Sequence, residues 1–180
     1  SSTSEISACI TKVSERINSM IRPAVANIDI LVIVSSVSLP KPSPAVIDKI
    51  TAAAEYRDIM PAIVFNKVDE ATADEYLEIY SKTDYPLLSV SARTGEGIES
   101  LKKLISGKIT ALCGNSGVGK SSILNCLCSS ASAATGDISE KLRRGKHTTR
   151  HVELVKTDDG GYIADTPGFS SWEFTGKNHI

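Results

Sequence analysis

The stretch GNSGVGKS, residues 114–121, decides how the rest of this 180-residue chain can be interpreted. It carries glycine, glycine, lysine and serine at the four fixed positions of the phosphate-loop pattern GxxxxGK[ST]. A β-rich run, KITALC at 108–113, precedes it, and a helical run, KSSILNCLC at 120–128, follows it. Because a strand before the loop and a helix after it are the context that the pattern requires, the sequence predicts a site for nucleotide phosphates.

Each fixed position of the loop has a predicted task. Lys120 is expected to bridge the β- and γ-phosphates, and the Ser121 hydroxyl is expected to ligate Mg²⁺. The glycines allow backbone N–H groups to converge on the β-phosphate. The residues predicted to contact the nucleotide here are Asn115, Ser116, Gly117, Val118, Gly119, Lys120, Ser121 and Ser122.

A second motif, NKVD at residues 66–69, follows the strand PAIVFN and concerns the base. The Asp69 carboxylate can accept hydrogen bonds from guanine N1–H and from the exocyclic amine, a pair of donors that adenine lacks. Sites that hydrogen-bond a particular group reject analogues without it strongly. Asn66 is expected to tie this segment to the phosphate loop, and Lys67 is expected to lie along the base. Asp69 therefore argues against an ATP-dependent enzyme.

Two shorter motifs complete the set. SAR follows a third strand, and its residues Ser91, Ala92 and Arg93 are all predicted to contact the nucleotide. The Ala92 N–H could reach guanine O6. DTPG begins where a strand ends, so that Asp165 can hold Mg²⁺ through water and the Gly168 N–H can meet the γ-phosphate. All four motifs lie at strand ends, where ligands bind in open α/β sheets. Together they predict a site for GTP and GDP.

Short β-rich runs alternate with amphipathic runs along the chain. Strands are predicted at 28–34, 61–66, 85–91 and 108–113, and helices from Pro44 (capped by Ser43) to near Arg57, and at 72–82, 97–105 and 120–128. The runs at 151–157 and 161–165 are expected to form a hairpin at the edge of the sheet. This pattern predicts an α/β fold, a P-loop NTPase three-layer sandwich whose mostly parallel sheet has helices on both faces.

The order of the motifs is unusual. Both base motifs precede the phosphate loop, whereas GTPases ordinarily begin with the phosphate loop and end with the base motifs. Joining the termini of such a domain and cutting it elsewhere gives the order found here. Because the termini of compact domains often lie close together, this rearrangement can preserve the sheet. The sequence therefore predicts a circularly permuted G domain.

The segments ERINSMIRPAVANID, NKVD, SVSARTGEGIESL, GNSGVGKSSILN, TGDISEKLRRGKHTTRHVEL and DTPGFSS together resemble the ribosome small subunit-dependent GTPase A family. The resemblance runs from about Ala8 to Phe174 and includes the order of the motifs. It implies a GTPase that acts late in assembly of the small ribosomal subunit. It also implies GTP/GDP and Mg²⁺ as ligands, and the small subunit with its 16S-type rRNA as partner.

The resemblance also suggests how the chain is divided. Family members carry an N-terminal OB-fold domain and a C-terminal zinc-binding domain. We expect residues 1–22 to be a remnant of the OB-fold domain or a linker from it, 23–174 to be the permuted GTPase domain, and 175–180 to be a tail where a zinc domain would follow. The tail has no Cys/His cluster, so no zinc is expected in this chain.

The resemblance points to catalytic residues in the switch segment. Either Thr148 or Thr149 is expected to be the Mg²⁺ ligand of this segment. Similarity to the family's His-Thr-Thr segment favours Thr149. Many GTPases place a Gln after the DxxG glycine to orient the attacking water, whereas this chain has Phe169. Slow intrinsic turnover is therefore expected. His147 is the candidate substitute by resemblance, the alternative being a solvated or RNA-facing histidine.

Charge and composition limit the other partners. Twenty Lys and Arg side chains against 21 Asp and Glu give a net charge of −1, so affinity for RNA requires a local patch. The run KLRRGKHTTR, 141–150, is such a patch, unless it is only a solvated loop. Trp172 and Phe174 either relay the nucleotide state to a zinc domain, as the resemblance suggests, or pack on the sheet. No run is long and apolar enough for a membrane span, and neither DNA nor a membrane is expected as a partner.

Four cysteines, none at zinc-finger spacing, are typical of buried thiols in a reducing compartment, which predicts a cytoplasmic protein; we also expect a monomer. The sequence leaves two functions open. The first is a GTPase whose slow hydrolysis is stimulated by the small ribosomal subunit. The alternative is a nucleotide-binding switch module with negligible turnover in the absence of the OB and zinc domains.

Overall fold

A computed structural model describes residues 11–13, 15–20, 25–128 and 153–165 of the chain. Within these ranges the strands and helices alternate, as the periodicity predicts. The strands are β1 (Ser19–Met20), β2 (Val25–Ala26), β3 (Ile30–Ser36), β4 (Met60–Asn66), β5 (Leu87–Val90), β6 (Ile109–Cys113), β7 (Glu153–Lys156) and β8 (Tyr162–Asp165). The helices are α1 (Pro44–Glu55), α2 (Asp74–Tyr80), α3 (Ile98–Ile105) and α4 (Lys120–Leu127).

Six of these strands form one sheet in the order β5-β4-β3-β6-β8-β7. The pairs β5–β4, β4–β3, β3–β6 and β6–β8 are parallel, and only β7–β8 is antiparallel. The mostly parallel sheet and the hairpin at its edge confirm the predicted fold class. Because β3, β4, β5, β6 and β8 run in the same direction, their carboxyl ends meet at one edge of the sheet, where ligands bind in open α/β folds.

The sheet separates two apolar cores. In β3, Leu31 and Ile33 belong to the core under α1 and α2, whereas Ile30, Val32 and Val34 belong to the core under α3 and α4. Each of these side chains is at most 2% exposed. Successive side chains of a strand point to opposite faces, and a strand covered on both faces is apolar throughout, which is why this stretch has no polar alternation.

A small hairpin, β1–β2, packs against the core under α1 and α2 through Met20 and Val25. Two asparagine side chains link the residues just before β1 to the segment between β2 and β3. Asn18 Nδ2 donates to the Ile28 carbonyl at 2.9 Å and Asn18 Oδ1 accepts from the Ile28 N–H at 2.9 Å, while Asn27 Oδ1 accepts from the Ile17 N–H at 2.8 Å. Residues 15–20 thus contact the body of the domain, and the predicted boundary at residue 22 stays a prediction.

The start of α1 differs from its prediction in one respect. Pro44 is the first helical residue, as predicted, but the Ser43 side chain makes no capping hydrogen bond. Instead the Ser43 carbonyl accepts from the N–H groups of Val46 and Ile47. The Val46 N–H, one of the two groups from which a capping side chain accepts, thus has the Ser43 carbonyl as its partner in place of the side chain. The helix ends at Glu55, two residues before the predicted end near Arg57.

None of the helices in the described part of the chain combines the length and the apolar character needed to cross a membrane.

Candidate nucleotide-binding site

The predicted motifs that the structure describes come together at the carboxyl edge of the sheet. Strand β6 leads into the phosphate loop, 114–119, and the loop leads into α4. Strand β4 ends at Asn66, the first residue of NKVD, and β5 ends at Val90, just before SAR. Strand β8, which ends at Asp165, is the direct neighbour of β6, the strand that leads into the phosphate loop. Three motifs that are far apart in the sequence, and Asp165 at the start of the fourth, therefore lie at the carboxyl ends of strands in one sheet.

Two glycines of the phosphate loop are required by close contacts. Gly114 has φ +141°, and a Cβ there would lie 2.1 Å from the Val34 carbonyl oxygen. Gly119 has φ +97°, and a Cβ there would lie 2.2 Å from Asn66 Nδ2. Residues other than glycine rarely adopt these backbone conformations. A Cβ at either position would also overlap a neighbouring atom. The loop is thus packed closely against the ends of β3 and β4.

Lys120, the first residue of α4, bends back over the phosphate loop. Its Nζ donates to the carbonyl oxygens of Gly114 at 2.7 Å and Asn115 at 2.8 Å. Burial lowers the pKa of this ammonium group, because removal from water disfavours the charged form. An anion bound in the loop would offer the ammonium stronger, charged acceptors than these carbonyl groups. The lysine is therefore placed to exchange loop carbonyls for phosphate oxygens.

The remaining loop residues divide by exposure. Val118 is buried in the core under α3 and α4, so only its backbone can face a ligand. Five residues predicted to line the phosphates are exposed, namely Asn115, Ser116, Gly117, Ser121 and Ser122. Ser121 and Ser122 lie in the first turn of α4, whose N-terminus carries a partial positive charge. Their hydroxyl groups are accessible to a phosphate or to a cation held beside it.

Asn66 joins three loops of the site. Its side chain is buried, its Nδ2 donates to the Val118 carbonyl at 2.8 Å, and its Oδ1 accepts from the Ala92 N–H at 3.1 Å. The predicted link between Asn66 and the phosphate loop is therefore present. The Ala92 N–H, predicted to reach guanine O6, donates to this amide instead in the structure. One buried side chain thus sets the spacing between the phosphate loop and both base motifs.

Asp69 already has donors in the structure. Ser91 Oγ donates to Asp69 Oδ1, and the Arg93 guanidinium donates to Oδ2. The hydrogen bond from Ser91, followed by the hydrogen bond and the positive charge of Arg93, holds the pKa of this carboxyl below its ordinary value of 3.8, against the opposing effect of burial. Asp69 is therefore a charged acceptor at neutral pH. The sequence motifs gave no sign that Arg93 would contact this carboxylate.

Lys67 and the loop after β3 form a contact that the sequence analysis missed. Lys67 has φ +68°, and its Nζ donates to the Leu39 carbonyl. Ser38 Oγ in the same loop donates to Glu70. Pro40 lies against the phosphate loop, because its Cδ would be 3.7 Å from a Cβ built on Gly117. The prolines of this loop indicated an irregular segment, but no motif indicated where it packs.

Several predicted residues lie outside the described part of the chain: His147, Thr148, Thr149, Gly168, Phe169, Trp172 and Phe174, with the basic segment 141–150. The backbone of Asp165 is described and ends β8 beside β6. The roles predicted for all of these residues stay predictions.

Comparisons with known proteins bear on the whole arrangement. A protein-family model described as RsgA GTPase matches residues 13–175. The chain belongs to the RsgA GTPase family. Its relatives include the Small ribosomal subunit biogenesis GTPase RsgA of Agathobacter rectalis, 44% identical over 165 residues, or 90% of this chain and 55% of that protein. The protein of the same name from Thermotoga maritima is 43% identical over 173 residues, which are 93% of this chain and 58% of that protein.

Two solved structures share the fold of this RsgA GTPase family member. The crystal structure of YjeQ from Thermotoga maritima superposes with a TM-score of 0.71 at 39% identity, covering 88% of this chain and 54% of that one. YloQ, described as a circularly permuted GTPase, superposes with a TM-score of 0.72 at 30% identity, covering 97% of this chain and 56% of that one. The predicted family and the predicted permuted fold are confirmed. The chain spans somewhat more than half the length of the curated relatives that it matches.

Proposed function

We propose that this chain binds GTP with Mg²⁺, hydrolyses it to GDP and phosphate, and acts in late assembly of the small ribosomal subunit. The observation that carries the proposal is the meeting of the phosphate loop, NKVD and SAR around Asn66, which bonds to both Val118 and Ala92. The names of the relatives, which are biogenesis GTPases of the small ribosomal subunit, support the cellular role.

Guanine selectivity is assigned to Asp69. Its carboxylate is ionised at neutral pH, with Ser91 Oγ donating to Oδ1 from within the protein. Each carboxylate oxygen can accept more than one hydrogen bond. Guanine offers N1–H and an amine to such an acceptor, whereas adenine offers a lone pair at N1. GTP and GDP are therefore the proposed ligands, with Lys67 and Ala92 beside the base as predicted.

The residues at the loop suit a magnesium ion. Mg²⁺ prefers hard oxygen ligands and commonly takes one or two from the protein in addition to phosphate oxygens. The exposed Ser121 hydroxyl lies in the first turn of α4, and Asp165 ends the strand next to β6. We assign Ser121 and Thr149 to ligate the ion directly and Asp165 to hold it through water. When bound, Mg²⁺ would neutralise charge on the phosphate oxygens.

Hydrolysis requires water to attack the γ-phosphorus while the bond to the β–γ bridging oxygen breaks, leaving GDP. The contribution of this chain is to position groups and to stabilise charge. Lys120 moves its ammonium from the Gly114 and Asn115 carbonyls onto phosphate oxygens. His147 is assigned to orient the water, since Phe169 stands where many GTPases have a glutamine. With no glutamine there, intrinsic turnover is expected to be slow.

The partner proposed is the small subunit with its 16S-type rRNA, contacted through the basic segment 141–150. The proposed division of the chain is the one predicted above: a remnant or linker at 1–22, the permuted domain at 23–174 and a tail at 175–180. We also propose that the chain is a cytoplasmic monomer and that it holds no zinc.

Phosphate release from GTP and from ATP, with Mg²⁺ and with or without purified small ribosomal subunits, tests this function. We expect release from GTP only, slow for the chain alone and faster with subunits. Lys120→Ala is the control that abolishes release. GTP binding without turnover, even with subunits, would instead support a nucleotide-binding switch module that depends on the OB and zinc domains for catalysis. Equal release from ATP would contradict both functions.

A further inference from the structure

Arg93 donates a hydrogen bond to the same carboxylate, that of Asp69, that is proposed to bind guanine. Arg93 donates to Asp69 Oδ2, while Ser91 donates to Oδ1. The Arg93 side chain is 72% exposed and the Asp69 side chain is 9% exposed. Ser91 is fully buried, so it approaches the carboxylate from within the protein. The guanidinium therefore lies on the solvent side of the carboxylate, the side that remains open to an incoming base.

We propose that Arg93 competes with the guanine base for Asp69, so that it lowers the affinity of the site for guanine nucleotides. The inference rests on the proposed function, in which Asp69 recognises guanine. It differs from the prediction that Arg93 contacts the nucleotide, because the side chain here acts against the bound state rather than for it.

The competition follows from the donors involved. A guanidinium presents N–H groups in a planar fork that matches a carboxylate, and guanine presents N1–H and the exocyclic amine in a similar pair. Both sets of donors need Oδ2 from the same open side. The Ser91 hydrogen bond to Oδ1 can remain when guanine binds, because a carboxylate oxygen has two lone pairs. Only the Arg93 contact has to break.

The cost of breaking this contact is modest. An ion pair with one largely exposed partner contributes little, and its loss corresponds to an affinity change of up to about fivefold. The effect is electrostatic and is screened by salt, with a Debye length of about 3 Å at 1 M ionic strength. A competitor of this strength adjusts affinity and release without preventing binding.

The site contains no second described cation that could take over this role. Lys67, which belongs to the same motif as Asp69, donates to the Leu39 carbonyl. Lys120 donates to two carbonyl groups of the phosphate loop. Each of these side chains is engaged elsewhere within the described residues. Removal of Arg93 should therefore leave Oδ2 to water, which guanine displaces more easily than an ion pair.

Equilibrium binding of GDP, ADP and pyrophosphate to the full chain and to Arg93→Ala tests the inference. Pyrophosphate occupies the phosphate loop without touching Asp69, so it reports the general loss of one positive charge. We expect the affinity for GDP relative to pyrophosphate to rise about two- to fivefold in Arg93→Ala at low salt. The gain should shrink towards none at 0.5 M salt, and Arg93→Lys should fall between the two proteins.

Lys82→Ala is the matched control, since Lys82 is an exposed cation after α2, at the opposite edge of the sheet. It should leave the ratio of GDP to pyrophosphate affinity unchanged. An unchanged or lower ratio in Arg93→Ala, with wild-type protein that prefers GDP to ADP, would overturn the inference and leave the proposed function standing. Wild-type protein without a preference for GDP over ADP would overturn both.

Discussion

At the scale of single residues, the site depends on one close approach between the phosphate loop and the first base motif. Gly119 and Asn66 are 53 positions apart in sequence, yet a Cβ on Gly119 would lie 2.2 Å from Asn66 Nδ2. The same amide group donates to the Val118 carbonyl and so holds the loop in place. The glycine of the pattern is thus needed for contact with the base motif as well as for its own backbone conformation.

Gly119→Ala is expected to lower GDP affinity at least tenfold, because the methyl group would push Asn66 away from Val118 and Ala92. The stability cost is expected to be about 2–4 kcal/mol, from the positive φ and from buried amide groups left without partners. Isothermal titration with GDP and urea unfolding measure the two effects.

Gly107→Ala provides the matched control. Gly107 also has a positive φ, +68°, but nothing lies within 4 Å of a Cβ built there. It should lose about 1–2 kcal/mol of stability and keep its GDP affinity. Equal losses of affinity in the two variants would show that Gly119→Ala acts through lowered stability alone, against the contact described above.

At the scale of elements, the helices α1 and α2 are joined by a buried tyrosine. Tyr80 at the end of α2 donates to Asp48 Oδ1 at 2.8 Å, and its oxygen also lies 3.3 Å from the Pro44 carbonyl at the start of α1. Tyr80 is 4% exposed, and the centroid of its ring lies 6.3 Å from that of Phe65 in β4. This contact fixes α2 beside the helix that follows β3.

Tyr80→Phe is expected to lower the free energy of unfolding by about 1 kcal/mol, since it removes one hydroxyl hydrogen bond and keeps the ring. Tyr76→Phe is the control, because the Tyr76 ring stacks on Phe65 at 5.5 Å and that contact is retained. Urea unfolding of both variants, combined with Asp48→Ala in a double-mutant cycle, measures the link. Additive effects of Tyr80→Phe and Asp48→Ala would contradict it.

The elements also show which features a sequence can predict. The apolar run of β3, the helical spacing of α3 and the turn between β7 and β8 are local patterns, and the strands and helices follow them. The Ser43 cap, the Lys67–Leu39 bond and the Arg93–Asp69 pair could not be predicted in this way. Each depends on which of several allowed partners a side chain reaches once distant segments have packed, and periodicity carries no information about that choice.

At the scale of the whole molecule, the order of the sheet explains how a permuted chain keeps one site. The strands that lead into SAR, NKVD and the phosphate loop are the first, second and fourth in the order β5-β4-β3-β6. Their chain order does not affect where their carboxyl ends lie. The motif order was therefore sufficient to predict permutation, and the match to YloQ, described as a circularly permuted GTPase, agrees with it.

In the proposed function, Asp69 makes this edge of the sheet a guanine site. Calorimetric titration of wild-type protein and Asp69→Asn with GDP and xanthosine diphosphate tests this assignment. Xanthine carries an oxygen where guanine carries the amine, so an asparagine amide donor suits it better than a carboxylate does. We predict that the wild-type protein prefers GDP and that Asp69→Asn prefers xanthosine diphosphate, with GDP affinity lowered by about 100-fold or more. Unchanged GDP affinity in Asp69→Asn would contradict the claim.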